Sequence, residues 1–210
     1  LNSMLAVAGA VRSVQAAALT DGRPIAPADV VPSPSGMGYI AGEQVTAALD
    51  FASGITASLL QHRFAKMDSM AYMMEIYGSE GRLYWKSGNP WFLPEPHFAP
   101  GKSEWQPLEP IVPDHFDAEG AASVEDYQFA DEYVQALDEG RAHECSGAEG
   151  RHVLEILMGI FESGAYGRRV ELPQTDRTHP LLRWRREAGL DLPAPMPRPY
   201  GEWLEVEDRR

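Results

Sequence analysis

The side chains with the clearest capacity for chemistry lie in one short segment at the end of a predicted strand. His62, Arg63 and Lys66 form a cationic cluster, and Tyr72 follows on the next predicted strand. Such side chains orient carboxylate or hydroxyl groups through charge-assisted hydrogen bonds. A solvated loop that pairs with nearby acids would have the same composition, so both interpretations stay open.

A second candidate is the stretch Gly36-Met37-Gly38-Tyr39-Ile40-Ala41, which matches the dinucleotide fingerprint G-x-G-x-x-A. That fingerprint works when a strand leads to the first glycine and a helix begins at the last residue, so that helix N–H groups meet the pyrophosphate. Here prolines precede the stretch and a strand-like run follows it. The sequence therefore predicts a loop and no cofactor-binding residue.

Nucleophilic and metal-dependent catalysis have weak candidates. Cys145 directly precedes a predicted helix, where the pKa of a thiol can fall, but a lone cysteine is more often a small buried side chain, which is what we expect. His152 and Glu155 share one helix face, yet a di-metal bundle needs several such pairs. We predict no catalytic residue and no metal site in this chain.

From Gly88 to about Phe116 the chain is rich in prolines and aromatic side chains. The proline density predicts loops, with at most an edge strand near Trp105, and excludes a central strand or helix. The part from Pro90 to Trp105 fits a recognition surface and a loop that covers a sheet edge equally well.

Charge and composition limit the partners. The 210 residues carry 18 Lys and Arg against 31 Asp and Glu, a net charge of −13. This balance disfavours nucleic acid and anionic membrane surfaces. No apolar run approaches the roughly 20 residues of a membrane-spanning helix. A single cysteine closes no internal disulfide, so we expect a cytoplasmic protein in a reducing compartment.

The order of elements predicts the fold class. Two strand pairs at 44–62 and 71–86 are joined by glycine-containing turns, and two helices follow after Ser123 and Ser146, ending at Gly140 and before Gly164 and Gly167. A strand at 168–173 and a short helix at 180–188 complete the pattern. We predict an α+β fold: a large open, mostly antiparallel or mixed sheet with helices packed on one face.

The first residues predict a helix that is already under way at Leu1 and stops at Gly9, without an initiator Met. We expect the chain to be a fragment of a protein that extends upstream.

Four stretches together resemble the C-terminal domain of the Gfo/Idh/MocA oxidoreductases, the relatives of glucose-fructose oxidoreductase and inositol dehydrogenase. They are Ala-Leu-Asp-Phe-Ala-Ser-Gly-Ile-Thr-Ala at 48–57, Glu-Ile-Tyr-Gly-Ser-Glu-Gly-Arg-Leu at 75–83, and the stretches 129–141 and 162–173. Their order and spacing cover most of residues 1–173, whereas the Pro-containing tail at 174–210, with its short helix, lies outside the pattern.

The resemblance implies a parent NAD(P)-dependent oxidoreductase that acts on a sugar, a polyol or a related hydroxyl compound. NAD or NADP would be bound by an N-terminal Rossmann domain, and residues 1–173 would bind substrate and form a homo-oligomer through the sheet. His62, Arg63, Lys66 and Tyr72 would form the substrate wall. The family's catalytic Lys, Asp and His would precede this chain, so we expect the chain alone to be inactive and to bind no cofactor.

Two alternatives remain open. The chain can be a stand-alone, non-catalytic dimerisation or ligand-binding module, in which case its exposed sheet face should be apolar and self-complementary. It can also be a catalytic domain of another kind that uses Cys145 or the cationic cluster.

Overall fold

The computed structural model describes residues 1–33, 38–62, 73–86, 90–96, 103–109, 111–113, 116 and 123–194. The chain divides into two compact units, residues 1–64 with 145–210 and residues 65–144. In chain order the elements are α1 (Asn2–Ala8), β1 (Val11–Thr20), β2 (Arg23–Pro24), a 3-10 turn (Pro27–Asp29), β3 (Val31–Pro32), β4 (Tyr39–Ile40), β5 (Gln44–Phe51), β6 (Thr56–His62), β7 (Met73–Tyr77), β8 (Arg82–Lys86), β9 (Pro90–Leu93), β10 (Gln106–Pro107), α2 (Val124–Glu139), α3 (Gly147–Tyr166), β11 (Val170–Glu171) and α4 (Pro180–Glu187).

Two antiparallel sheets carry most of the strands. The first sheet belongs to the first unit and has the order β11-β1-β5-β6, with β2 paired to β1. The second sheet belongs to the second unit and has the order β10-β9-β8-β7. The two predicted hairpins, β5–β6 and β7–β8, are present, and the β5–β6 turn uses Gly54 at φ +88°. In the first sheet β1 instead pairs with the distant strands β5 and β11. The α+β prediction is confirmed.

Helix α3 packs closely on β1 because two of its residues lack a side chain. A Cβ at Gly164 would lie 3.2 Å from the Cβ of Ala18, and one at Gly159 would lie 3.5 Å from Val14 Cγ2. Of the two glycines predicted to follow the helix, Gly164 lies inside it, whereas Gly167 ends it after Tyr166 in the left-handed conformation. Gly164 serves the contact between helix and sheet, and not the helix end.

Side chains of α3 also complete the hydrogen bonds of β1. Strand β11 pairs with β1 only at Ser13 and Val14, which leaves backbone groups on either side of it. The Val11 N–H donates to His152 Nε2 at 3.0 Å, and the Ala16 N–H donates to Ser163 Oγ at 2.7 Å. The edge of β1 is therefore satisfied by one short strand and two helical side chains.

Helix α4 is anchored to the first unit, although the tail was outside every recognised pattern. Leu181 is fully buried with Val30 and Ala41. The Arg183 guanidinium forms ion pairs with Asp176 and with the buried Glu162, and Arg185 Nη1 donates to the Pro27 carbonyl at 3.0 Å. Residues 180–187 form the predicted helix.

The exclusion of a central strand from residues 90–105 is wrong. Strand β9 lies between β8 and β10, and only the two-residue edge strand β10 beside Trp105 was expected. Pro90 is the first residue of β9 and Pro94 follows its end. Proline is disfavoured in the interior of a strand because it lacks a backbone N–H for pairing, and neither of these prolines lies in the interior of β9.

Burial of His179 gives the anchor of α4 a pH dependence. Its ring stacks on Phe161 at 6.0 Å between centroids and meets the Tyr39 ring edge-on at 5.9 Å. Loss of hydration in this aromatic contact lowers the pKa of His179 below its ordinary value of 6.5. As the pH falls through about 6.5, His179 is protonated in the unfolded chain before it is protonated in the folded chain.

We expect the free energy of unfolding to fall as the pH drops below about 6.5, by at most about 1.4 kcal/mol per pH unit for this one proton. His179→Phe keeps an aromatic ring and removes the titration, so its stability should depend less on pH between about 6.5 and 5. Urea unfolding at several pH values measures both proteins. Equal slopes in wild type and His179→Phe would contradict this prediction.

Candidate functional site

Of the predicted substrate wall, the structure describes His62. It is the last residue of β6, pairs with Gln44 of β5, and is half-buried. Its register places it on the same face of the first sheet as Leu60 and Ser58, the face opposite the buried Leu49 and Ala47. Arg63, Lys66 and Tyr72 lie outside the described residues, so the grouping of these four side chains stays a prediction.

The face of the first sheet opposite α3 carries mostly short side chains. Ala17, Thr46 and Leu60 are register partners across three strands, and the next row holds Gln15, Ala48 and Ser58. All six are exposed, and Leu60 is 68% exposed. We call these six residues the outer face. It combines weak polarity with little relief, which suits contact with another flat surface.

The dinucleotide fingerprint does not meet the structural condition for phosphate binding. Gly38 has φ +72°, and β4 follows at once, with β5 beginning at Gln44. No helix begins within residues 38–44, so this segment presents no row of free helical N–H groups to a pyrophosphate. Gly36 and Met37 of the fingerprint lie outside the described residues.

The catalytic and metal candidates have different environments from those expected. Cys145 is exposed, so the expectation of a buried thiol is wrong; it lies directly before Ser146, the residue that caps α3, where the chain turns at the surface. Both ring nitrogens of His152 are engaged, since Nε2 accepts from Val11 and Nδ1 lies 3.3 Å from Glu155 Oε2. In the described part of the chain, no three His, Cys, Asp or Glu side chains are grouped as metal ligands.

Glu155 belongs to a structural ion-pair network beside a shallow cleft of about 140 Å³. Its carboxylate accepts from Arg177 at 2.7 Å, and its backbone carbonyl accepts from Gln174 at 3.2 Å. The hydrogen bond from Arg177 is the main reason that the pKa of Glu155 is lowered. Because these charges neutralise one another, the cleft holds no strong group left over for a ligand.

The second sheet brings together side chains that the sequence analysis did not group. Glu75, Tyr84 and Trp91 are register partners across β7, β8 and β9 and so share one face. Tyr77 and Arg82 form the neighbouring row on that face. Trp105 meets Tyr84 edge-on at 6.1 Å, and the Arg82 guanidinium carbon lies 5.8 Å from its ring centroid. We call these six residues the aromatic face.

Some polar groups of the aromatic face are hydrogen-bonded within the face and others are not. Tyr77 is hydrogen-bonded to Glu75, which is the main reason that the pKa of Tyr77 is raised. The Arg82 Nε–H is buried and has no hydrogen-bond partner among the described residues. The alternation of period two along 75–77 and 82–84 indicated which side chains of β7 and β8 share a face. Trp91 and Trp105 could not be added to that face from the sequence, because they join it through β9, which the proline density had excluded.

The fold defines a class of α+β protein, and it recurs in solved oxidoreductases. No family model matches the chain, and no curated protein matches it. The levoglucosan dehydrogenase complex with NADH and L-sorbose has 20% identity and a TM-score of 0.59 over 82% of this chain and 48% of that one. An NAD-binding oxidoreductase from Klebsiella pneumoniae has 17% identity and a TM-score of 0.60 over 82% and 48%.

A third structure, an oxidoreductase domain protein from Kribbella flavida, has 19% identity and a TM-score of 0.53 over 78% of this chain and 45% of that one. The chain spans about half the length of these structures. At such identities the likeness establishes a shared fold. None of the described helices is long and apolar enough to cross a bilayer.

Proposed function

We propose that this chain is the substrate-binding and oligomerisation part of an NAD(P)-dependent oxidoreductase that acts on a sugar, a polyol or a related hydroxyl compound. The observation that supports this most is the shared fold with levoglucosan dehydrogenase, whose structures hold NADH with levoglucosan or L-sorbose. The sequence resemblance to the Gfo/Idh/MocA C-terminal domain over residues 1–173 points the same way. A cytoplasmic location, inferred from the single cysteine, belongs to the same proposal.

Within this proposal the chain contributes positioning and no proton transfer. His62, with Arg63, Lys66 and Tyr72, would hold substrate hydroxyl groups in one orientation, which lowers the entropic part of the barrier. NAD or NADP would supply hydride chemistry in the parent protein. The fingerprint at 36–41 does not fit that cofactor, because no helix follows it, so we assign no step through the cofactor to this chain.

The first test is a titration of the 210-residue chain with NADH and NADPH, followed by nicotinamide fluorescence. We expect no binding, and we expect binding and sugar oxidation when the chain is produced in an extended form, as part of the proposed parent oxidoreductase. Binding by the short chain would show that the loop interpretation of residues 36–41 is wrong. Binding by neither form would favour the stand-alone module.

The substrate wall is tested in the active, extended form by His62→Gln. Because His62 is assigned to positioning, we expect KM for the sugar to rise about three- to tenfold with a smaller change in kcat. Thr56→Ala, a change on the same sheet face at the opposite end of β6, is the matched control. A loss confined to kcat, or no change at all, would remove His62 from the substrate wall.

The proposed homo-oligomer uses the outer face. Its small, flat side chains allow a second copy to approach closely, and no described helix covers them. Ala48→Arg places a charged, bulky side chain in the middle of this face, so we expect the assembly to dissociate. Light scattering after size exclusion measures the mass, with Arg12→Ala as a surface control. An unchanged mass for Ala48→Arg would place the interface elsewhere.

A further inference from the structure

The aromatic face of the second sheet has a chemistry that neither packing nor the proposed function uses. Its two rows alternate rings with ionic groups, and several of the rings are open to solvent. Trp91 is 37% exposed, Trp105 is 38% exposed and Tyr77 is 56% exposed. Keeping several indole and phenol rings exposed to water is unfavourable, because burying them would release free energy. A cluster of exposed rings therefore indicates a binding surface.

Trp105 lies at the edge of the aromatic face. Strand β10 begins directly after Trp105 and pairs with β9, so the indole stands beside the sheet at its edge. The ring contacts Tyr84 and Arg82 of β8, while Leu93, the register partner of Arg82, is buried. Trp105 therefore lies against Tyr84 and Arg82, next to the row that holds Trp91.

The aromatic face also carries hydrogen-bonding groups. The Glu75 carboxylate is hydrogen-bonded to Tyr77 and keeps further acceptor sites, and Arg82 offers guanidinium N–H donors. Among the described residues, the buried Nε–H of Arg82 has no hydrogen-bond partner, and the guanidinium carbon lies 5.8 Å from the Trp105 ring centroid. Because the Arg82 side chain is only half-buried, its outer N–H groups can donate to a ligand that brings oxygen atoms to this face.

We propose that the aromatic face binds a neutral pyranose ring. The apolar C–H side of a sugar ring packs against indole and phenol faces, and planar carboxylate and guanidinium groups hold neighbouring hydroxyls as acceptor and donor. Three strands about 4.8 Å apart and two rows about 7 Å apart give a patch of about 10 by 7 Å, the size of one or two rings. This binding needs no cofactor and stands independently of the proposed oxidoreductase.

The charges on the face distinguish a sugar from other occupants. A protein partner would favour an interface centre depleted of charge, whereas Glu75 and Arg82 lie beside the exposed rings. An anionic ligand would face the Glu75 carboxylate in a chain of net charge −13. A neutral ring with several hydroxyls satisfies both ionic groups at once.

The test uses the full chain with methyl β-D-glucopyranoside, cellobiose and maltose as probes. Saturation-transfer NMR detects contact between ring protons and aromatic side chains, and a titration gives Kd, which we expect in the range of about 1 to 10 mM for so few contact atoms. Trp91→Ala should weaken binding about tenfold, and Arg82→Gln about three- to tenfold. Trp91→Phe, which keeps a ring, should retain most of the affinity.

Leu83→Ala is the matched control, because Leu83 lies on β8 next to Arg82 and points to the opposite face of the sheet. Circular dichroism melts confirm folding, and the loss expected for Arg82→Gln carries the test if Trp91→Ala does not fold. No saturation transfer from any probe at about 20 mM would overturn the proposal, since it exceeds the expected Kd. So would equal affinity in Trp91→Ala, or tighter binding of D-glucuronate than of the methyl glucoside. A change of oligomer mass in Trp91→Ala with unchanged sugar binding would assign the face to self-association instead.

Discussion

The first unit depends on the way helix α3 satisfies the backbone of strand β1. His152 and Ser163 accept from the N–H groups of Val11 and Ala16, and they are eleven helical residues apart while their partners are five strand residues apart. Both separations span about 16 to 17 Å, so the helix must run alongside the strand in the same direction. A buried N–H without an acceptor costs about 1 to 3 kcal/mol. Any other alignment of α3 with β1 would leave these N–H groups without acceptors and would therefore be less stable.

This alignment explains the small residues of α3 and the chemistry around it. Hydrogen bonds to β1 require close approach, and Gly159 and Gly164 provide it because a side chain at either position would press on β1 or on Leu172. Acceptance at Nε2 places the ring hydrogen of His152 on Nδ1, toward Glu155. Glu155 in turn accepts from Arg177 in the tail. One chain of polar contacts thus joins the start of β1 to the segment that carries α4.

The two sheets present faces of opposite character. With α3 on one side of the first sheet, the outer face on the other side carries mostly short, weakly polar side chains, and His62 lies on the same side of the sheet. The aromatic face of the second sheet combines large rings with ionic groups, which suits a small polyhydroxylated ligand better than close packing. Side-chain size and charge therefore distinguish the two faces.

The sequence by itself determined the elements whose signals are local. Hairpins followed from their turn glycines, and the starts of α2 and α3 from Ser123 and Ser146, whose hydroxyls accept from Asp126 and Glu149. Composition and order were enough for the α+β class. Proline density did not predict β9, because the effect of a proline depends on its position: Pro90 begins the strand and Pro94 follows it.

Tertiary structure decided everything that depends on which strand lies beside which. Ser163 and His152 become partners of β1 only because α3 runs along its edge, and Gly164 acts as a contact residue only for the same reason. The aromatic face exists only once register places Glu75, Tyr84 and Trp91 in one row. Register and packing join residues that are far apart in the chain, and no local pattern of residue types carries that information.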